Sequence, residues 1–468
     1  MMKLYNTLTR QVEDLQPLNA PRVGIYTCGP TVYDYAHVGH WFTYVRADLL
    51  IRALKGNGLE PEWVMNITDV GHLVSDADEG EDKLEKGARR EGKTAWEVAR
   101  FYEADFLKEL ALLNITKPNH ITRATDHIAE QIALVKVLED KGFTYIIDDG
   151  VYYDTSKFPA YGDFARLDLD ELEAGKRVDF NPQKRHASDF ALWKFSPPSS
   201  QRDMEWDSPW GKGFPGWHIE CSAMAMKYLG STLDIHTGGI DHIPVHHTNE
   251  IAQSEAATGQ QFSKSWLHTN HVLVDGQKIS KSLGNGVRLT ELVEKGFEPQ
   301  AFRLLVLESH YRSQSKFSLE SLQAAANRLK DLKAMAVLRY QLLEEPQDDT
   351  SFSFGYVADQ IQTHLADDLN TPAIMAYLSD VSRQIQAVLL WHKAVPHFEN
   401  MLTAIDDMLG LQLADVPDIS AEQKELLRTR ETARQAKDWP AADAARNKLL
   451  QQGIELRDTP SGPIWNWA

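Results

Sequence analysis

The segment His37-Val38-Gly39-His40 carries side chains suited to binding a nucleotide phosphate. It follows a short apolar run at residues 23–27 and opens a stretch whose apolar residues recur at helical spacing. Two imidazoles and a glycine therefore lie where a strand leads into a helix. A helix start attracts anions, because its first N–H groups lack partners within the helix and the helix dipole is positive there. The segment predicts an anion site, although an isolated HxGH pattern is also common in ordinary turns.

A second segment, Lys278-Ile279-Ser280-Lys281-Ser282, lies about 240 residues further along, between two glycine-containing turns. Its two ammonium groups are mobile point charges that can follow a pyrophosphate as negative charge develops on it. Alone, the segment would be interpreted as a solvated basic loop. The two segments together predict adenylate chemistry on ATP. The predicted catalytic residues are His37, His40, Lys278 and Lys281, with Gly39, His37, His40 and Lys281 at the nucleotide.

The elements that must position these residues alternate between strand and helix over residues 21–115, which indicates a parallel, doubly wound α/β sheet. The pattern breaks over 116–226, where a helix at 127–142 and a hairpin at 144–153 indicate an insertion, and strands resume at 233–237 and 266–274. From residue 318 the spacing is purely helical, and the last 48 residues predict two helices and a short Gly- and Pro-punctuated end. The predicted domains are 1–115, 116–226, 227–317, 318–413 and 414–468.

Composition narrows the class of protein. The 468 residues carry a net charge of −18, which argues against indiscriminate nucleic-acid binding, although residues 421–468 hold eight basic against seven acidic side chains. That final stretch is therefore the better place for an RNA contact. Only two cysteines occur, and no run of eighteen apolar residues appears, so we expect neither a disulfide framework nor a membrane partner. A cytoplasmic protein is expected.

The two cysteines suggest a metal site. Cys28 ends the first predicted strand, and Cys221 precedes a histidine-rich stretch in which His246 and Glu250 are four residues apart, on one face of a helix. Two thiolates, an imidazole and a carboxylate are an acceptable ligand set for zinc. The spacing leaves open the alternative of two buried structural cysteines and a few surface histidines.

The order and spacing of the two signature segments resemble those of class I aminoacyl-tRNA synthetases. The stretches at 26–34, 216–224, 234–239 and 246–250 further resemble the cysteinyl-tRNA synthetase family, and the similarity runs from about residue 4 to the C-terminus. The resemblance implies a cysteine–tRNA ligase that uses ATP with Mg²⁺, and partners L-cysteine, ATP and tRNA(Cys). It implies a Rossmann-like doubly wound sheet with an insertion domain, an α-helical bundle and a small C-terminal anticodon-binding domain. A monomer is expected.

The resemblance also assigns roles to single residues. It places one Zn²⁺ on Cys28, Cys221, His246 and Glu250, where the metal would select the substrate thiolate over a serine hydroxyl. It places Trp217 on the wall of the amino-acid pocket, and Thr68, at a strand end, is a further predicted substrate contact. The alternative for Trp217 is a core tryptophan beside a turn.

At the C-terminal end the resemblance implies tRNA contacts by Arg434, Trp439, Asp443 and Asp458. The tryptophan is suited to stacking on a base, and the charged side chains are suited to base edges. The alternative is a solvated helical hairpin with one buried tryptophan.

Four places depart from the family pattern as we expect it: Gly71-His72, Phe214, Thr248 and the charge-dense residues 75–91. Phe214 could loosen an ATP or tRNA contact, and Thr248 could change metal affinity through the surroundings of the ligands. The charged stretch predicts a solvated helix or loop. None of the four removes a predicted ligand or a signature residue.

Two other functions compete. A mycothiol-pathway cysteine ligase, which joins activated cysteine to an amino sugar, would share the signature segments and ligands but would end soon after the first helical region. A non-catalytic tRNA-binding or zinc-stabilised module would not need both signature segments. The length of the chain and its two intact segments favour the synthetase.

Overall fold

The computed structural model describes residues 2–71, 83–167, 181–197, 202–279, 284–341, 353–388, 395–459 and 462–468. The chain divides into two compact units. The N-terminal unit comprises Met1–Leu292 and Tyr311–Lys316, and the C-terminal unit comprises Val293–His310 and Phe317–Ala468. None of the helices within these described stretches is long and apolar enough to cross a membrane.

The N-terminal unit is built on a five-stranded parallel sheet. Its strands, in spatial order, are Ser263–Thr269, Leu233–Gly239, Arg22–Thr27, Glu60–Ile67 and His120–Arg123. The helices of this unit are Val38–Gly56, Lys83–Glu91, Ala95–Leu112, Ile128–Asp140, Trp217–Leu229, Thr248–Thr258 and Leu289–Glu294. This confirms the predicted α/β class. The edge strand His120–Arg123 was not predicted, so the parallel sheet extends into the stretch that the sequence assigned to the insertion.

The strand order reverses between Arg22–Thr27 and Leu233–Gly239, which lie side by side although more than 200 residues separate them. Outside the carboxyl ends of two such strands the connections leave in opposite directions and open a crevice, where ligands bind in this fold class. Cys28 lies at this point, and its N–H donates to the carbonyl of Thr237 at 3.2 Å. The topology therefore places the first cysteine at the mouth of the crevice.

A separate antiparallel sheet lies between the two halves of the parallel sheet in sequence. Its strands are Thr144–Ile147, Gly150–Tyr153, Phe190–Phe195 and Gly213–Pro215. The first two form the predicted hairpin. The last strand ends directly before Gly216, whose N–H donates to the carbonyl of Leu192 at 2.9 Å, and so fixes the start of the helix Trp217–Leu229 that carries Cys221. The remaining strands of this unit are Lys3–Asn6, Gln11–Asp14, Val272–Val274 and Gln277–Lys278.

The C-terminal unit is helical up to residue 451, as predicted. Its helices are Pro299–Leu307, Leu319–Ala336, Val337–Tyr340 (3₁₀), Phe354–Ala366, Thr371–Val388, Val395–Leu409, Ala421–Gln435 and Trp439–Gln451. Ser318 and Ser420 begin two of them with capping boxes, each accepting a hydrogen bond from an N–H three residues later. The strand Ser315–Phe317, which precedes the second of these helices, begins in the segment Tyr311–Lys316 of the N-terminal unit.

The chain ends in an antiparallel hairpin of Ile454–Thr459 and Gly462–Trp467, which the sequence did not predict. The pattern was missed because glycine and proline interrupt it and each strand has only six residues. Contacts with residues distant in sequence hold the hairpin in place. Gln341 donates to the carbonyl of Trp465 at 2.8 Å and accepts from its N–H at 2.5 Å, and Ile454 and Ile464 are buried.

Candidate active site and metal centre

The segment containing His37 and His40 lies at the start of the helix Val38–Gly56, as predicted. The two imidazole rings stack with their centroids 3.8 Å apart, and the N–H of His37 donates to Nδ1 of His40 at 3.1 Å. The N–H of Val38 donates to the carbonyl of Val287, and that of His40 to the carbonyl of His37. Three N–H groups at this helix start, those of His37, Val38 and His40, thus donate hydrogen bonds within the protein.

The second signature segment approaches the first through Ile279. A Cβ atom added to Gly39 would lie 2.9 Å from Cδ1 of Ile279 and 3.0 Å from the ring of His37, so a larger residue there would have to displace the Ile279 side chain. Lys278 is exposed, and its Nζ lies 3.6 Å from Oδ1 of Asp241. Lys281 lies outside the described residues. The fold therefore brings Gly39 and the beginning of the lysine segment together.

The four predicted zinc ligands come together from four different elements. Cys28 follows the strand Arg22–Thr27, Cys221 lies in the second turn of Trp217–Leu229, His246 lies in a π-helical turn, Ile243–His247, and Glu250 lies in the first turn of Thr248–Thr258. Their ligand atoms all lie within 4.8 Å of one another, and all four residues are buried. The four ligand atoms are therefore close enough together to bind one metal ion.

The π-helical turn explains how adjacent histidines reach the same centre. Single π-turns inside helices occur frequently at functional sites, because the wider turn redirects side chains. Nε2 of His246 lies 2.9 Å from Oε1 of Glu250, and Nε2 of His247 lies 3.4 Å from Sγ of Cys28. Both imidazoles thus face the pair formed by Cys28 and Glu250.

A second potential ligand set shares Cys28 and Glu250 and adds His236 and His247. Nε2 of His236 lies 2.9 Å from Oε2 of Glu250, while its Nδ1 has no hydrogen-bond partner among the described residues. Both histidines lie in the stretches 234–239 and 246–250 that resemble the family, but neither was a predicted ligand. His236 points into the site because it lies on a central strand at the crevice, a position that only the strand order reveals.

Hydrogen bonds between histidines extend the site outward. Nδ1 of His246 lies 2.9 Å from Nδ1 of His218, and Nδ1 of His247 lies 2.7 Å from Nε2 of His268. The other nitrogen of His268 lies 2.7 Å from Oγ1 of Thr7. Such outer partners fix the tautomer and the orientation of a ligating imidazole. His218 and His268 therefore orient the two histidines that face Cys28.

The electrostatics of the centre suit a cation. Burial alone would raise the pKa of the Glu250 carboxyl, but His236 and His246 hold that pKa well below its usual range. Burial alone would lower the pKa of His246, but Glu250 and then Cys221 raise it to about 10. The two thiols are coupled: a hydrogen bond from Cys28 lowers the pKa of Cys221, whereas burial and Cys221 raise that of Cys28. Without a metal, Glu250 is thus an ionised carboxylate held by a protonated His246, and a cation bound here would take the place of the protons on the imidazole and the thiols.

Of the two predicted substrate contacts, Trp217 packs against this centre, and Thr68 lies at the end of the strand next to the one that precedes Cys28. The ring centroid of Trp217 lies 4.5 Å from that of His246. Thr68 follows the strand Glu60–Ile67 and is buried, with its hydroxyl accepting a hydrogen bond from the side chain of Asn66 at 3.1 Å. The neighbouring Glu220 is fully buried, and burial and Asp69 raise its pKa well above the usual value. Glu220 was not among the predicted site residues, although it directly precedes Cys221.

Two of the sequence departures now have a structural setting. Phe214 is buried, and the guanidinium carbon of Arg202 lies 3.8 Å from its ring centroid, while Arg202 donates to the carbonyl of Gly71. Thr248 is buried and donates from Oγ1 to the carbonyl of Ile243 at 2.7 Å, which ties the ends of the π-turn together. His72 lies outside the described residues, as does part of the stretch 75–91, whose described part contains the helix Lys83–Glu91.

The predicted tRNA contacts all lie in the last 35 residues of the C-terminal unit. Trp439 begins the helix Trp439–Gln451 and is 58% exposed, so it is not the buried tryptophan of the alternative interpretation. Asp443 is exposed on the same helix. Arg434 and Asp458 are in direct contact, with Nη1 of Arg434 2.5 Å from Oδ2 of Asp458.

Comparison with known proteins places the chain in a family. The family model described as tRNA synthetases class I (C) catalytic domain matches residues 14–327, and that of the cysteinyl-tRNA ligase anticodon binding domain matches residues 416–465. The chain is 47% identical to a cysteine–tRNA ligase 1 of Burkholderia lata, over 98% of this chain and 96% of the relative. It is 40% identical to a cysteine–tRNA ligase of Treponema denticola, over 99% of each.

Among solved structures, a methionyl-tRNA synthetase of Mycobacterium tuberculosis in complex with methionyl-adenylate shares the fold. The TM-score is 0.59 at 15% identity, with 84% of this chain and 93% of that one covered. The full-length sequence relatives give the more specific family assignment, because they are cysteine–tRNA ligases. They give no support to the amino-sugar ligase. The chain belongs to the cysteine–tRNA ligase family of class I aminoacyl-tRNA synthetases.

Proposed function

We propose that the protein activates L-cysteine with ATP to form cysteinyl-adenylate and pyrophosphate, and then transfers cysteine to the 3′ end of tRNA(Cys). The observation that carries the proposal is the convergence of the buried Cys28, Cys221, His246 and Glu250 at one crevice of a fold that also joins Gly39 to the lysine segment. Full-length relatives with this activity in their names support it.

At the nucleotide end, His37 and His40 hold ATP, which is accompanied by Mg²⁺. Lys278 and Lys281 stabilise the pyrophosphate as it leaves, when the cysteine carboxylate attacks the α-phosphate in line. No covalent bond to the enzyme is required, so catalysis comes from positioning and electrostatic stabilisation. Asp241 restrains Lys278 only weakly, because both side chains are more than half exposed, and the lysine is therefore able to move to a phosphate.

At the amino-acid end, Cys28, Cys221, His246 and Glu250 would hold one Zn²⁺. Three of these four groups bind metals as anions, and burying anions without a cation is costly, so the donor set fits the ion. Zinc bound there would accept the substrate sulfur as a further ligand and so discriminate against serine, whose hydroxyl is a poor ligand. Trp217 forms one wall of the cysteine pocket, and Thr68 contacts the substrate from the neighbouring strand end.

The pair His236 and His247 could replace Cys221 and His246 as ligands, and mutagenesis separates the two sets. We prefer the set with two thiolates, because zinc binds thiolate strongly and structural zinc sites commonly contain several cysteines. Cys221→Ser should lower the zinc-to-protein ratio measured by elemental analysis, whereas His236→Gln should leave it near one. The opposite pattern would assign the metal to the histidine-rich set.

The function itself is tested by charging. Labelled cysteine, ATP and a transcript bearing a GCA anticodon should give a stable ester, and serine should not. AMP formation from ATP and cysteine without charging would instead indicate an acceptor other than tRNA. Loss of ATP–pyrophosphate exchange in a folded, zinc-loaded sample would support a non-catalytic binding module.

At the RNA end, the proposal assigns the anticodon contacts to Arg434, Trp439, Asp443 and Asp458. The exposed indole of Trp439 is a platform on which a base can stack. The proposed working form is a monomer, acting in the cytoplasm, where charged tRNA is consumed. Sedimentation of the protein alone and with tRNA tests whether it is a monomer, since a dimer would give twice the molecular mass.

A further inference from the structure

The helix Ala421–Gln435 and the terminal hairpin are joined by one buried arginine. Arg430 is 4% exposed, and its Nη1 and Nη2 donate to Oδ1 and Oδ2 of Asp458 at 2.9 and 2.8 Å. Nη1 also donates to Oε1 of Glu431 at 2.7 Å. This two-point geometry between guanidinium and carboxylate is strong and orients both groups, because both hydrogen bonds are charge-assisted and the two planes match.

Asp458 also forms an ion pair with a second arginine, Arg434. Oδ2 of Asp458 also contacts Nη1 of Arg434, which lies one helical turn after Arg430 and is one-third exposed. Hydrogen bonds from Arg430 and then Arg434 hold the pKa of Asp458 well below its usual range, so the carboxylate remains charged. Asp458 thus connects the buried Arg430 to the accessible Arg434.

We propose that Arg430 is a positioning residue for tRNA recognition: it fixes Asp458, and through Asp458 it presents the guanidinium of Arg434 to the RNA. The inference rests on the proposed function, because it specifies how two of its assigned tRNA contacts are held. Arg430 itself is too buried to contact RNA. A free arginine side chain loses rotamer entropy when it binds, and a guanidinium that is already held by a carboxylate loses less.

The test is a double-mutant cycle between Arg430→Met and Arg434→Ala, with Arg430→Lys as the conservative variant. Arg430→Met should raise the KM and the Kd for a GCA transcript about tenfold, which corresponds to about 1.4 kcal/mol. ATP–pyrophosphate exchange should stay within about twofold, because no tRNA takes part. Arg430→Lys keeps the charge but loses the two-point geometry, so it should recover only part of the affinity.

The cycle separates positioning from a merely structural role. If Arg430 acts through Arg434, Arg430→Met should add little to the Kd of a chain that already carries Arg434→Ala. Full additivity of the two effects would overturn the inference, as would an unchanged Kd in Arg430→Met. Should Arg430→Met lower the melting temperature of the chain, Arg430→Lys takes its place in the same cycle.

Arg428 provides the matched control. It lies on the same helix, is 72% exposed and pairs with Glu425 at 3.0 Å, so Arg428→Met removes an arginine without touching Asp458. Its Kd for the transcript should equal that of the unmodified chain, and a comparable loss would show that general charge, not positioning, is responsible. Because filter binding of tRNA needs no catalysis, the cycle remains decisive even if the unmodified chain fails to charge cysteine.

Discussion

Glu109 links the helices that follow the two signature segments, and its ionisation should make the stability of the N-terminal unit depend on pH. The side chain is 1% exposed on the helix Ala95–Leu112. Its Oε2 accepts from Nε1 of Trp41 at 2.7 Å, and its Oε1 accepts from the N–H of Thr290 at 3.2 Å. Burial first, and then the nearby Asp105, raise the pKa of Glu109 from 4.5 to about 7.

The direction of this pH dependence follows from the number of protons that the folded and the unfolded state bind. Below the pKa that Glu109 has in the unfolded chain, the carboxyl is protonated in both states, and the free energy of unfolding has its full value. Between the unfolded and folded pKa values only the folded state keeps the proton, so the free energy of unfolding falls as pH rises. Each unit of difference is worth 1.36 kcal/mol, so the loss between about pH 5 and about pH 8 is on the order of 2 kcal/mol.

Glu109→Gln removes this titration and keeps an oxygen that can accept from Trp41. Urea unfolding at the two pH values should therefore show a flatter pH dependence in the variant, by roughly 2 kcal/mol, with the largest relative gain at the higher pH. Glu60→Gln, at an exposed glutamate of the same unit, is the control and should follow the unmodified chain. Parallel curves for Glu109→Gln and the unmodified chain would show that Glu109 is ionised in the fold and would refute the reasoning.

Three further changes test the site. Gly29→Ala should prevent folding of the N-terminal unit, since its Cβ would lie 1.6 Å from the carbonyl oxygen of Asn66; a native circular dichroism spectrum would contradict this. Gly39→Ala should leave the fold intact but displace Ile279 at the start of the lysine segment, and this misplacement should slow ATP–pyrophosphate exchange by about tenfold; an unchanged rate would show that the contact does not position the lysine segment. Lys281→Ala should slow activation far more than it weakens cysteine binding, and equal losses in both would remove its assigned role.

Periodicity and residue type predicted the fold class and the order of its main elements. The alternation of apolar runs with helical spacing predicted the parallel sheet, because strands buried on both faces and helices covering them leave distinct patterns. The short edge strand His120–Arg123 and the terminal hairpin were missed. Both depend on neighbours distant in sequence, such as the partner strand at Glu60–Ile67 and Gln341 at Trp465, which no local pattern contains.

For the site, the sequence by itself determined which residue types were available and, through the family resemblance, the quartet of Cys28, Cys221, His246 and Glu250. Only the tertiary structure decided that His236 and His247 face the same two ligands, and that the helix start at His37 uses its own N–H groups. Those outcomes depend on strand order, on one π-turn and on long-range hydrogen bonds. Each is a relation between elements far apart in the chain, so it exists only once the chain has folded.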